Sequence, residues 1–218
     1  ILHQHAPASN PMDPDFNYEP TAEESVAARA AAAGVSPAEY AYDLLMKDGG
    51  KGFIYFPILN YRDGNLNFLE ELQESDDCVN SLSDGGAHCG TICDAASPTF
   101  MLQYWVRDRA RKRITLENAI KRQCRDTALL YGLEDRGLLA SGYLADLNII
   151  DMAALKLGKP WLAFDLPAGG KRLLQKAEGY VATIKSGEVT FRNGVVQGRF
   201  PGIVIRGPQT VELALAAE

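Results

Sequence analysis

Up to about residue 136 the apolar positions recur mainly at helical spacing, and from Gly137 onward they fall into short extended runs. The first helix is predicted after Thr21-Ala22-Glu23-Glu24, a capping box in which the Thr21 hydroxyl can accept from the Glu24 amide. It runs to about Ala33 and stops at Gly34. Ser36-Pro37-Ala38-Glu39 repeats the device with proline at the first helical position, and Tyr40, Leu44 and Leu45 share one face as far as Gly49-Gly50. A short helix is expected over 66–74, another over 100–111 (Met101, Leu102, Trp105, Val106), and a last one from Thr115 to Tyr131. In that last helix Ala119, Ile120, Gln123, Thr127 and Leu130 form one side, and Gly132 closes it. The aromatic and β-branched run 52–59 reads as a buried strand with Pro57 near its end, and Cys78-Val79-Asn80 as a second, shorter one. Strand, helix, strand in that order predicts a βα-type unit with parallel strands. Further on, 145–151, 181–185, 188–192 and 195–197 read as strands. Ser186-Gly187 and Asn193-Gly194 turn the last three into an antiparallel layer.

Composition narrows the function classes. A chain of 218 residues with 46% hydrophobic and 23% charged residues is ordinary globular material. The net charge of -6 argues against general nucleic-acid binding, and the basic run 107–113 reads as a solvated helix end. No run reaches the roughly 18 apolar residues of a membrane span, and the first residues lack the pattern of a signal peptide. Cys89 and Cys93 with His88 make too few ligands for a zinc knuckle, so free thiols in a reducing cytoplasm are expected for the four cysteines. Four prolines make an irregular segment of residues 1–20, and His3-Gln4-His5 falls within it.

The stretch richest in chemistry is Ser81-Leu82-Ser83-Asp84-Gly85-Gly86-Ala87-His88-Cys89-Gly90. It delivers the Asp84 carboxylate at the end of an expected strand, into a turn that three glycines free from ordinary backbone limits. Asp-Gly is also a common turn pair, so an ordinary turn is the alternative. Asn60 and Tyr61 follow the other expected strand in the same way.

In order along the chain, the Ser83-Asp84-Gly85 tip, the helices, Asp135-Arg136-Gly137-Leu138-Leu139 with Gly142 and Ala145-Asp146-Leu147, and Lys185-Ser186-Gly187-Glu188-Val189 resemble the C-terminal part of an amidohydrolase-superfamily enzyme. Within it they are most similar to the D-aminoacylase, or N-acyl-D-amino-acid deacylase, branch. The resemblance covers most of the chain, from about Glu19 to Arg206. It implies an α/β fold: the C-terminal part of a (β/α) TIM-type barrel over residues 1–136, and a small antiparallel β-sandwich portion with a tail over 137–218. It implies hydrolysis of a C–N amide bond in a small-molecule substrate, an N-acyl-D-amino acid. Asp84 matches the aspartate beside the metal, which takes a proton from the attacking water. His88, Asn60 and Tyr61 are the candidate substrate contacts.

The implied cofactor is zinc or another divalent metal. Three histidines cannot supply the family's ligand set, so most ligands are expected outside this chain. The expected partners are therefore the N-terminal part of the barrel or another chain, with oligomer formation and no nucleic acid or membrane. A non-catalytic binding or assembly domain that keeps the fold remnant is the alternative function.

Overall fold

The structure, a computed structural model, describes residues 17–57, 60, 61, 63–80, 90 and 94–211. It is a mixed fold of short helices and antiparallel sheets, divided into two compact units, residues 1–72 and 73–218.

In the first unit the capping signals act where the sequence places them, with one refinement. The Thr21 amide donates to Glu24 Oε2 at 2.8 Å, but the turn so closed is a single 3-10 turn, Ala22–Glu24. Ser25 then caps α1 (Val26–Ala33) by accepting from the Ala28 amide at 3.1 Å, and Gly34 ends the helix in the left-handed conformation. Ser36 caps α2 (Pro37–Gly50) through the Glu39 amide at 3.2 Å, with Pro37 in the first turn. The helical path of α2 breaks at Lys47, Asp48 and Gly49. Val26 of α1 and Leu44 of α2 are buried together, packed by Tyr40, Ala41 and Ile54.

Residues 52–57 form no strand, contrary to the sequence expectation, although Ile54 joins this core. A strand needs a ladder partner, and none is provided to these residues among those described. The chain instead doubles back on α2: the Gly52 amide donates to the Leu45 carbonyl at 3.2 Å. A Cβ at Gly52 would lie 1.9 Å from the Leu44 carbonyl oxygen, so only glycine fits this crossing. Helix α3 (Asn67–Glu74) follows as expected.

In the second unit, 78–80 is likewise not a strand, and Val79 is exposed. Helix α4 (Ser97–Phe100) runs directly into a wide helix over Met101–Asp108, wound with bonds five residues apart. The expected face holds there: Met101, Leu102 and Trp105 are buried. The next helix is α5 (Leu116–Ile120), a second wide segment (Lys121–Asp126) and α6 (Thr127–Leu130). Here the expected face holds in part: Ala119 is buried and Gln123 and Thr127 are half-buried, but Ile120 is exposed, Leu130 is 62% exposed, and Arg122 and Ala128 are buried instead. A turn of more than 3.6 residues rotates the side chains that follow it, Ala128 and Leu130 among them, relative to an α-helical reading; Ile120 precedes it.

The basic run is a solvated helix end only in part: Arg111, Lys112 and Arg113 are exposed, but Arg109 is not. The helix stops at Asp108, and Arg109 is 1% exposed, its guanidinium 4.5 Å from the centre of the Trp105 ring and bonded to the Lys112 carbonyl at 3.0 Å.

The sheet part contains β1 (Leu147–Ile150), β2 (Lys156–Leu157), β3 (Trp161–Leu166), β4 (Gly170–Leu174), β5 (Ala177–Glu178), β6 (Tyr180–Lys185), β7 (Glu188–Arg192) and β8 (Val195–Val196). The main sheet has the order β1-β6-β7-β8, all antiparallel, with Leu147 opposite Ile184 and Lys185 opposite Glu188. Both expected turns are made, with positive φ at Ser186, Gly187, Asn193 and Gly194. Between β1 and β6 the chain makes an excursion that periodicity did not assign: β2 pairs with β5, and inside that pair β3 pairs with β4. Helix and sheet parts of this unit are joined by polar contacts, Thr99 Oγ1 to Tyr180 Oη at 2.8 Å and the Leu157 amide to Gln103 Oε1 at 2.7 Å.

After β8 the chain crosses 198–208 without regular structure and is caught at Gln209. That residue exchanges backbone bonds with Gly132 (2.8 Å) and Glu134 (2.9 Å). No parallel barrel ladder occurs among the described residues; their one parallel contact is the isolated bridge Leu133 to Gln209. Nor is any described helix long and apolar enough to cross a membrane.

Candidate functional site

Asp84 and His88 lie outside the described residues, as do His3, His5, Cys89 and Cys93. The second unit shows how residues 75–80, which precede Asp84 in sequence, are held. Residues 75–80 are fastened from one side by the wide turn of the α5–α6 helix. Arg122, 3% exposed, donates from Nη1 to the Cys78 carbonyl at 2.8 Å and from Nη2 to the Ser75 carbonyl at 2.7 Å. One helical turn on, the Thr127 hydroxyl is shared between the carbonyls of Asn80 (3.2 Å) and Arg122 (2.8 Å). Three carbonyls in six residues are thus taken up by two side chains of one helix. Two donors in the same place, Arg122 Nε and Asn80 Nδ2, are buried with no bonded acceptor. Such a group costs about 1–3 kcal/mol, so the arrangement is held by surrounding contacts rather than by its own polar balance. Gln123 of the same helix donates to the Pro98 carbonyl at 3.1 Å.

The other two candidate contacts belong to the first unit. Asn60 is exposed, with φ +64°. Tyr61 is 6% exposed, and its hydroxyl donates to the Pro20 carbonyl at 2.7 Å. Burial, with the carboxylates of Glu19 and Glu24 nearby, pushes the phenol up to about 12. In this geometry Tyr61 is a neutral donor already engaged with backbone.

The Asp135-to-Asp146 motif is an ion network. Arg136 grips the Asp135 carboxylate with Nε at 2.9 Å and Nη2 at 3.0 Å, and its Nη1 lies 3.9 Å from Asp146. Asp146 in turn accepts from Lys185 Nζ, 3.0 Å to each oxygen, and from the Ser186 amide at 2.8 Å. The Arg136 hydrogen bonds hold the Asp135 carboxyl below its ordinary range. The glycine of the motif has a steric reason: Gly137 has φ +79°, and a Cβ there would lie 2.6 Å from the Cys124 carbonyl oxygen.

Sequence reasoning missed Arg122, because a basic residue inside a helix reads as surface. Among the described residues no group of three or more His, Cys, Asp or Glu side chains could hold a metal ion, so these residues do not form the implied metal site. The Cys78 thiol is free, and so is that of Cys124, which burial pushes up.

Compared with known proteins, the chain matches the family model of the amidohydrolases over residues 5–191. No curated protein and no solved structure matches it. The matched span takes in Asp84, the α5–α6 helix and the ion network from Asp135 to Lys185, and covers most of the chain, so the chain belongs to the amidohydrolase family.

Proposed function

We propose that the chain is the Asp84-bearing portion of a metal-dependent amidohydrolase that cleaves N-acyl-D-amino acids. The observation that carries the reading is the family match across residues 5–191, which spans Asp84 and the motif whose ion network the fold preserves. Hydrolase chemistry follows from the family; the N-acyl-D-amino acid rests on the resemblance of the motifs to the D-aminoacylase branch.

In this reading Asp84 is the general acid and base. Its carboxylate accepts a proton from the attacking water and returns it to the leaving nitrogen as the C–N bond breaks. His88, Asn60 and Tyr61 remain the proposed substrate contacts, with Tyr61 acting through a neutral phenol. The divalent metal, zinc by family habit, would have Asp84 beside it and its other ligands outside this chain, since three histidines are too few for the family's ligand set. The barrel strands that lead to Asn60 and Asp84 would then be completed by partners from the rest of the barrel, which suits the lack of a strand ladder at 52–57 and 75–80 among the described residues. Cytoplasmic placement is part of the same reading, in keeping with the free thiols of Cys78 and Cys124.

The test is turnover of N-acyl-D-amino acids by the complete, metal-loaded hydrolase with Asp84→Asn. Loss of kcat by about 10²-fold or more is expected, because a positioned acid-base group is worth that much. Unchanged turnover sinks the reading. A non-catalytic assembly domain would then stand in its place, favoured by the apolar residues that the 198–208 segment exposes.

A further inference from the structure

We infer that two copies of the chain join about a two-fold axis, each seating Ile203 and Val204 of the other in a groove between the 198–208 segment and the sheet. The groove lies within the second unit. It measures about 360 Å³, with Phe191 of β7, Val196 of β8, Phe200 and Pro201 as its apolar lining and Lys185 and Arg199 as its charged members. Phe191 and Val196 are register partners, so both side chains leave the same face of the sheet. Lys185 adds no unpaired charge, because Asp146 already holds its ammonium at 3.0 Å from each oxygen.

Ile203 and Val204 follow directly on Gly202, the last residue of the lining, yet they stay almost wholly in solvent and do not turn into the groove. A knob and a hole side by side on one segment are self-complementary. After a half turn, a second copy presents its knob to the first one's hole and receives the first one's knob in its own. The area suits such a contact. With a full side chain taken at roughly 150–200 Å², the exposed parts of Phe191, Val196, Phe200, Ile203 and Val204 amount to about 600 Å² per copy. A standard interface buries roughly 800 Å² per partner, and a polar rim supplies a remainder of that size. Access is open as well, because β8 is the end strand of its sheet, with no strand beyond it among the described residues.

Sedimentation of the full chain over a range of concentrations is the test. The parent should pass from monomer to dimer and no further. Val196→Arg charges the hole and Ile203→Asp charges the knob, and each should weaken the dimer at least about tenfold. Both positions are exposed in the single chain, so both variants should keep the parent's thermal midpoint. Phe200→Ser serves for the hole if Val196→Arg lowers it. Mixed in equal amounts, the two charged variants should associate again. In the mixed dimer one contact is the unaltered Ile203 on the unaltered Val196, and the other brings the two introduced charges together.

A monomer at every concentration overturns the dimer. So does association that Val196→Arg leaves unchanged or that the mixture fails to restore, since Ile203 is then not seated in this groove. Growth beyond the dimer overturns the two-fold arrangement, because a head-to-tail contact does not close on itself. The same measurement on the complete hydrolase separates the second copy from the other occupant. A complete enzyme that stays monomeric while this chain dimerises gives the groove to the rest of the barrel and overturns the proposal. No readout depends on the role proposed for Asp84.

Discussion

At neutral pH the Tyr61 phenol is protonated and donates to the Pro20 carbonyl inside the first unit. Replacing it with phenylalanine removes that bond and leaves a buried carbonyl without its donor. The expected loss is about 1 kcal/mol near pH 7, read from urea denaturation. The pH dependence has a definite sign. The folded phenol has its pKa raised to about 12, so its contribution is complete below the unfolded value of about 10 and is lost as the pH climbs toward about 12. The stability gap between parent and Tyr61→Phe should therefore narrow between about pH 9.5 and 11.5. A gap that stays constant or widens would show that Tyr61 is not the protonated donor described.

Among the elements, Asp146 is the point where motif and hairpin meet. It binds Lys185 and the Ser186 amide across a turn whose Ser186 has φ +51°, a conformation that costs a residue with a Cβ. Asp146→Ala should lower stability by about 1–2 kcal/mol and speed exchange at the 185–188 turn before the rest of the sheet. A uniform effect across the sheet would argue against a local clasp. The neighbouring Asp135–Arg136 pair adds an acid limit. With its carboxyl held below the ordinary range, Asp135 contributes fully above about pH 4, and the contribution fades as the pH falls below that.

Elements fixed by adjacent residues were legible in the sequence. The caps at Ser36 and Gly34 and the turns at Ser186-Gly187 and Asn193-Gly194 act through contacts within a few residues. The runs 52–57 and 78–80 have strand composition, but a strand exists only with a partner, and composition does not carry one. The far end of the α5–α6 face, at Ala128 and Leu130, was misread for a different reason: the wide turn before it changes the period on which the reading depends. Of the candidate site, Asn60 and Tyr61 can be placed, Asp84 and His88 lie outside the described residues, and Arg122 emerges only from its contacts.

For the whole molecule, the 198–208 segment is the feature that points outward. Its flanks are tied by the Gln197 amide to the Thr190 carbonyl and by Gln209 to Gly132, while Phe200, Ile203 and Val204 between them face solvent, Ile203 being 80% exposed. Apolar residues held exposed on a fixed segment favour association. Sedimentation should show association that rises with protein concentration, and Ile203→Asp should weaken it at least about tenfold, the effect of losing one buried aliphatic side chain. Since Ile203 touches little within the chain, its thermal midpoint should stay put. A protein that sediments as a monomer at every concentration contradicts the expected partner.

The excursion between β1 and β6 has a bearing on how quickly the chain reaches this fold. Its three pairings are concentric, β3 with β4 inside β2 with β5 inside β1 with β6. The innermost closes over the three-residue turn Pro167–Gly169. Once it has formed, each outer pair has only a few unbound residues left to close over, so the entropic cost of joining distant segments is met in small steps. The sequence separation between Leu147 and Ile184 thus overstates the search their meeting requires, and this part of the chain can zip from its tip toward its base.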